Sequence, residues 1–148
     1  MSENLTLWQR YQAKKASVGG IYFTKEGAAD LGVSEGALIA TSPDAVYLGK
    51  DCRALLMRLH ELGEVMAIVR NSLCVHEKMG VYQNVKLSET GGIALNFGGI
   101  DLRIFLSAWQ HALAVENHDG DKISRSIQFY SAQGDAIQKV FLREESEA

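Results

Sequence analysis

The sequence predicts an α+β domain in which helices pack on one face of a large antiparallel β-sheet. Apolar residues recur at helical spacing in the amino-terminal third, the period shortens towards two from Glu64 onward, and two alternating runs near the carboxyl end are joined by a short turn containing glycine. Runs of helix followed by locally connected strands are typical of α+β architecture. We therefore expect one domain over residues 1–148, mainly helical over 1–62, mainly strand over 64–143, with a frayed tail over 144–148.

The helices are predicted from periodicity and from capping residues. Thr24 and Ser34 are expected N-caps of two short helices, with Gly32 at the left-handed stop between them. Asp51 is the expected cap of a fourth helix, and Gly19 follows the end of the first. The predicted helices span Leu5–Ala16, Lys25–Leu31, Glu35–Ala40 and Cys52–Leu62.

The strands are predicted from alternation of β-branched and aromatic residues with polar ones. The strongest pattern is a carboxy-terminal β-hairpin, in which a turn over residues 132–135 joins two alternating runs. The predicted strands span Glu64–Arg70, Leu73–Met79, Gly92–Phe97, Ile100–Leu106, Ser126–Ser131 and Ala136–Leu142.

Residues 28–38 mimic a DNA-binding helix-turn-helix, but the composition argues against DNA. A recognition helix should present Arg, Lys, Asn or Gln to base edges, whereas residues 35–39 read Glu-Gly-Ala-Leu-Ile. The formal net charge is -3, from 15 basic and 18 acidic residues, so no overall positive field collects nucleic acid. We expect no nucleic-acid partner.

Several other classes of protein are disfavoured. The longest apolar runs fall far short of a membrane span, and residues 1–4 lack the start of a secretory signal, so we expect a cytoplasmic protein without membrane insertion. Cys52 and Cys74 are not in a Cys-x-x-Cys pair and predict two reduced thiols. The absence of Gly-rich phosphate loops, Gly-x-Ser-x-Gly elbows and His-Glu-x-x-His motifs disfavours classical hydrolases and nucleotide-binding proteins, and we assign no catalytic residue.

Among four histidines, none of which share metal-ligand spacing, His76 is the most informative. It interrupts a predicted strand and shares one face with Cys74 and Lys78. The pattern favours a packed or solvated imidazole for a lone histidine, but His76 fits that interpretation least well of the four, and a ligand contact stays open.

A second alternating segment sets a cation beside an aromatic ring. Asp101, Arg103 and Phe105 point one way, whereas the residues that alternate with them from Ile100 to Leu106 are expected in the core. Arg103 could be an exposed side chain paired with Asp101. It could also clamp a carboxylate of a planar ligand while the ring supplies dispersion contact. Spacing leaves both interpretations open.

The order and spacing of several motifs resemble the amino-terminal repeat of the bacterial haem-utilisation family HemS/ChuS, whose smaller relatives are ChuX and HutX. The resemblance runs from about Leu7 to Phe141. The motifs that carry it are Leu7–Tyr11, Leu31–Glu35, Gly63–Val65, Val69–Asn71, Val75–Gly80, Ile100–Leu106 with Trp109, Ser126–Tyr130, Gln133–Ala136 and Lys139–Val140.

This resemblance implies an α+β fold with a large antiparallel sheet flanked by helices. Long members of the family contain two tandem repeats, and short members form a dimer of one repeat. Members bind haem in the cytoplasm after uptake, pass it on, and in some cases break the macrocycle. The resemblance therefore implies a haem-binding and trafficking protein of iron acquisition. Alternatives are a reductive haem-degrading enzyme and a non-haem structural or regulatory module that retains the fold.

The resemblance also implies roles for individual residues. Arg103 matches an arginine that reaches the haem site, Phe105 matches a neighbouring phenylalanine, and His76 matches a histidine proposed to ligate iron when the first repeat acts alone. Lys78 and Arg125 are further candidates to meet the haem propionates.

The chain departs from the family pattern in two ways. Phe97-Gly98-Gly99 replaces the usual Pro-Arg before the Arg103 segment, which loosens that turn. The second repeat, which carries the principal axial histidine in long members, is missing. We therefore expect a homodimer, in which a second copy supplies the absent half by symmetry, and a haem-transfer partner protein.

Overall fold

The structure, a computed structural model of the chain, describes residues 5–71, 73–89, 91–95, 99–119 and 121–143. The helices are α1 (Leu7–Val18), α2 (Thr24–Leu31), α3 (Glu35–Ala40) and α4 (Cys52–Leu56). Two short 3₁₀ helices span Leu59–Leu62 and Leu106–Ala108. The strands are β1 (Ala45–Gly49), β2 (Val65–Arg70), β3 (Val75–Gly80), β4 (Val85–Leu87), β5 (Gly92–Leu95), β6 (Asp101–Ile104), β7 (His111–Asp119), β8 (Lys122–Tyr130) and β9 (Ala136–Leu142).

The strands form two antiparallel sheets. The large sheet has the order β1-β7-β8-β9-β2-β3, and the small sheet has the order β4-β5-β6. β8 and β9 form the predicted carboxy-terminal hairpin. Within the described residues, β1 and β3 are the edge strands of the large sheet.

The two faces of the large sheet are covered by different layers. On one side, Ile39 of α3 and Trp8 of α1 pack against Leu113 and Tyr130, and we call this side the helix face. On the other side, α4, the first 3₁₀ helix and the small sheet bury a core that includes Leu56, Ala94, Val140 and Phe129, and we call it the core face. The helix layer on one face is confirmed, but the predicted strands divide between two sheets, and α4 lies on the opposite face from α1–α3.

The local capping signals give most helix ends correctly. Gly19 and Gly32 adopt left-handed conformations, with φ of 69° and 70°, at the ends of α1 and α2. The Ser34 hydroxyl accepts from the Ala37 amide at 3.2 Å, and the Asp51 carboxylate accepts from the Ala54 amide at 3.0 Å. The capping signals therefore define these ends locally.

The prediction that Thr24 is an N-cap is wrong. Phe23 occupies that position, and the Glu26 carboxylate accepts a hydrogen bond from its amide at 2.6 Å. Thr24 begins the helix, and its hydroxyl donates to Glu35 on α3. A long-range hydrogen bond therefore takes the place of the local cap.

Other element boundaries also differ from the prediction. The helix predicted over Cys52–Leu62 ends at Leu56, and a 3₁₀ helix follows; leucines three residues apart fit both helix types. The strand predicted over Ile100–Leu106 ends at Ile104.

Strands β1, β4 and β7 were not predicted. β1 shows no alternation because its central residues are all apolar, and β7 contains alanines of low strand propensity. Three predicted features lie outside the described residues: the end of the strand predicted over Gly92–Phe97, the turn at Phe97 and Gly98, and the tail over 144–148.

Over the part of the chain that the structure describes, no helix has the length and apolarity needed to cross a membrane. Both cysteines are free thiols, Cys52 buried and Cys74 exposed.

Candidate functional site

His76 lies on the open edge strand β3 of the large sheet. The hairpin that presents it is closed by Asn71, whose side-chain oxygen accepts from the amides of Leu73 and Cys74 at 2.7 and 2.9 Å. His76 is exposed and lies opposite Val69 of β2, which is itself 40% exposed. The imidazole is therefore presented on an accessible, partly apolar surface.

Lys78 follows two residues further along the same face of β3. It is half-buried and lies opposite Ala67, a buried residue of the core face. Within the described ranges, neither His76 nor Lys78 has an ion pair. Both polar groups are thus available to a ligand at this edge.

The other histidines are placed differently. His111 shares a hydrogen bond of 2.8 Å between its Nδ1 and the Tyr47 hydroxyl. His118 contacts the Glu116 carboxylate at 2.8 Å through Nε2, and His60 is exposed on the first 3₁₀ helix. The described residues hold no group of three His, Cys, Asp or Glu side chains arranged to bind a metal ion. An iron contact would therefore rest on fewer than three of these side chains.

Arg103 and Phe105 lie on the outer side of the small sheet. The Arg103 side chain is 61% exposed and donates from Nη1 to the Asp101 carboxylate at 2.7 Å. Phe105 follows the end of β6 and is 73% exposed, whereas Ile100 and Ile104 are buried. The structure thus contains the Arg103–Asp101 pair, and because a guanidinium has five N–H donors, Arg103 retains donors for a second carboxylate.

Arg125 is engaged by a cross-strand partner. Its Nε donates to the Glu116 carboxylate at 3.1 Å on the neighbouring strand β7. This hydrogen bond and the contact with His118 lower the pKa of Glu116 below its ordinary value. A ligand carboxylate would have to compete with Glu116 for Arg125.

One copy of the chain does not bring these five predicted residues together. His76 and Arg125 share the core face of the large sheet but lie three strands and several residues apart, about 20 Å at ordinary strand spacing and rise. Arg103 lies on the other sheet, on the side facing away from the shared core.

The structure also contains a cleft of about 600 Å³ that sequence reasoning missed. We call it the helix–sheet cleft, because α1–α3 and the loop before α2 form its roof and the helix face of the large sheet forms its floor. Roof residues include Trp8, Tyr11, Tyr22 and Phe23, and floor residues include Ile68, Arg70, Lys139 and Phe141. None of the five predicted site residues lines it.

Several polar groups of the helix–sheet cleft have defined partners. Lys139 on β9 pairs with Glu35 on α3 at 2.6 Å. The Tyr22 hydroxyl donates to Asp30 at 2.5 Å, and this hydrogen bond raises the pKa of Tyr22 to about 12. Arg70 lies with its guanidinium carbon 4.1 Å from the centre of the Phe23 ring. The cleft joins residues from opposite ends of the chain, so no local motif indicates it.

Comparisons with known proteins agree on one group of relatives. The family model described as the haemin-degrading HemS.ChuX domain matches residues 32–148. The chain is 39% identical over 146 residues to the hemin transport protein HmuS of Yersinia pestis, covering 97% of this chain and 42% of that protein.

Two solved structures share the fold closely. The heme-binding protein PhuS of Pseudomonas aeruginosa, in its holo form, is 40% identical with a TM-score of 0.87, over 95% of this chain and 41% of that one. The heme degrading enzyme ChuS of Escherichia coli O157:H7 is 30% identical with a TM-score of 0.88, over 95% of this chain and 43% of that one. The chain thus spans about two fifths of the length of each of these relatives.

Proposed function

The chain belongs to the haemin-degrading HemS/ChuX domain family, and from that premise we propose that it binds haem in the bacterial cytoplasm and carries it during haem and iron acquisition. In this role the chain takes up haem and releases it to a partner protein. PhuS, a heme-binding protein, and HmuS, a hemin transport protein, support the proposal because each is similar to nearly the whole chain.

One observation carries the proposal for the ligand. His76 is an exposed imidazole on an open edge strand, with apolar Val69 across from it and Lys78 two residues away. A neutral imidazole is an ordinary axial ligand of haem iron, and a nearby ammonium group can meet a propionate. We assign iron ligation to His76 and a propionate contact to Lys78.

Arg103 and Phe105 take the second set of contacts in this proposal. The guanidinium retains donors for a propionate, and the exposed ring offers apolar area for the macrocycle. Arg125 is a weaker propionate contact, because Glu116 already accepts from it.

A homodimer completes the proposed site. Since His76 and Arg103 lie on different sheets, a second copy related by twofold symmetry would supply Arg103 and Phe105 to the haem that His76 ligates. Light scattering of the haem-loaded protein should give the mass of two chains. A haem-loaded monomer would contradict the shared site.

Titration with hemin tests the function itself. The expected result is a Soret band that shifts and saturates at one haem per chain, because each dimer contains two equivalent sites. Hemin absorbance that rises without saturation would contradict haem binding.

Haem degradation is a second candidate function, supported by the similarity to the heme degrading enzyme ChuS. The reaction would need oxygen and an electron donor such as ascorbate, and the bound macrocycle would supply the oxygen chemistry. Under air and ascorbate, degradation predicts loss of the Soret band with release of iron, unaffected by catalase. A Soret band that persists would contradict haem degradation and leave haem binding and transport as the proposed function.

A further inference from the structure

We propose that the helix–sheet cleft is a second ligand site, which binds a large planar ring, that of a tetrapyrrole. The cleft would contact the carboxylates and the apolar surface of this ligand, without ligating a metal. The choice of a tetrapyrrole rests on the proposed function. The site itself is separate, because the cleft lies on the helix face of the large sheet, whereas His76 lies on the core face.

The size and lining of the cleft suit a large flat ligand. A volume of about 600 Å³ falls within the range of about 300–1,000 Å³ found for small-molecule sites. Trp8, Tyr11, Phe23 and Phe141 place aromatic side chains on both its roof and its floor. Aromatic rings on opposite walls favour a planar ligand, because such rings stack with offset or edge contacts.

The charge of the lining favours an anion. Lys15, Lys25, Arg70 and Lys139 line the cleft, against two acidic residues, Glu35 and Glu77. Glu35 is already paired with Lys139. The balance leaves an excess of positive charge for a ligand carboxylate.

Arg70 is the residue best placed to bind that carboxylate. It is half-buried on β2, and no carboxylate among the described residues forms an ion pair with it. Its guanidinium carbon lies 4.1 Å from the centre of the Phe23 ring, a cation–π contact that uses none of its N–H donors. A guanidinium held in this way can donate two parallel hydrogen bonds to one carboxylate.

The cleft offers no side chain that is ready to ligate iron. His118 lines it, but its imidazole contacts Glu116, which pairs with Arg125 on the opposite, core face of the sheet. Tyr22 lines it too, and its hydroxyl donates to Asp30, a hydrogen bond that keeps the phenol protonated because it raises the pKa to about 12. Recognition in the cleft therefore depends on ring and carboxylates, and an iron-free ligand should bind as well as an iron-containing one.

Titration with iron-free protoporphyrin IX tests this inference, because such a ring lacks the iron that His76 would ligate, and the Trp8 signal and the Arg70 variants report on the cleft alone. The expected result is saturable quenching of tryptophan fluorescence. Trp8 lines the cleft, whereas Trp109 is buried against Phe129 on the core face, so Trp109→Phe should leave most of the quenching in place. A parallel titration with biliverdin distinguishes a closed ring from an opened one as the source of the carboxylates.

Arg70→Ala should weaken protoporphyrin binding about tenfold or more, the effect of losing a charge-assisted hydrogen bond. Arg58→Ala is the matched control, because Arg58 is an exposed arginine outside the cleft. Arg70→Lys, which keeps the charge but not the paired donors, should be intermediate and covers the case in which the alanine variant unfolds. The inference would be overturned if neither protoporphyrin IX nor biliverdin bound saturably. It would also be overturned if wild type and Arg70→Lys bound protoporphyrin IX with equal affinity, whatever the outcome with hemin.

Discussion

Glu35 and Lys139 form an ion pair, 2.6 Å between Oε2 and Nζ, that joins the first turn of α3 to β9. Their side chains are only 9% and 19% exposed. The Thr24 hydroxyl donates to the same carboxylate, so the starts of α2 and α3 are tied to the large sheet at one point. This contact lies in the lining of the helix–sheet cleft and links the helix layer to the large sheet.

Glu35→Gln should lower the free energy of unfolding by about 3–5 kcal/mol, because it leaves the Lys139 charge largely buried without a partner. Urea unfolding followed by circular dichroism measures the change. Glu61→Gln is the control, since its ion pair with Arg58 is exposed and should contribute less than about 1 kcal/mol. Equal effects of the two substitutions would show that the Glu35–Lys139 contact does not hold the layers together.

The same contact shows what the sequence could and could not predict. Gly32, Ser34 and Asp51 mark helix ends through groups within three residues, so their roles were readable from local spacing. Thr24 carries the same local signal, but its partner Glu35 is eleven residues away, and the predicted cap was wrong. A capping side chain therefore predicts a helix end only where no distant group takes up its hydrogen bond.

The candidate site was also only partly predictable from the sequence. Alternation placed Ile100 and Ile104 in the core and Arg103 on the opposite side, and the structure has that arrangement. Alternation within one strand could not show that His76 and Arg103 belong to two different sheets, because this depends on how the strands pair. Nor could it indicate the helix–sheet cleft, which needs Trp8 and Phe141 to meet.

The two thiols should react at very different rates. Cys74 is exposed, whereas Cys52 is 2% exposed, and burial raises the pKa of its thiol to about 11. Because the thiolate is the reactive form, 5,5′-dithiobis(2-nitrobenzoic acid) at pH 8 should modify one thiol quickly and the second only after unfolding. Cys74→Ser should abolish the fast phase; two equal rates in the folded wild type would contradict the placement of Cys52.

The raised pKa of Cys52 also has a direction in pH. The pKa of this thiol rises from its ordinary value of 9.0 to about 11 on folding. Between these two pH values the thiol is ionised in the unfolded chain but neutral in the folded one. The unfolded state therefore binds fewer protons, and stability should fall as pH rises through this range. Cys52→Ala should flatten that part of the pH dependence, as measured by urea unfolding at pH 8 and pH 10.

Arg103→Ala should weaken hemin binding by about tenfold or more without changing stability measurably. The affinity falls because a charge-assisted hydrogen bond to a propionate is worth about 1.5–3 kcal/mol, whereas the exposed Arg103–Asp101 pair contributes little to folding. Asp101→Asn should strengthen hemin binding, since it releases the guanidinium. Isothermal titration of both variants measures the two affinities. Stronger hemin binding by Arg103→Ala together with weaker binding by Asp101→Asn would remove Arg103 from the proposed site.

The most direct test of the account compares hemin titrations of wild type, His76→Ala and His60→Ala. His60 is an exposed histidine that the proposal leaves outside the haem site, so its variant controls for the loss of a surface imidazole. The account predicts that wild type and His60→Ala give the same saturable Soret shift, whereas His76→Ala gives a weaker and displaced band. An unchanged spectrum and affinity in His76→Ala would contradict the assignment of His76 as the iron ligand.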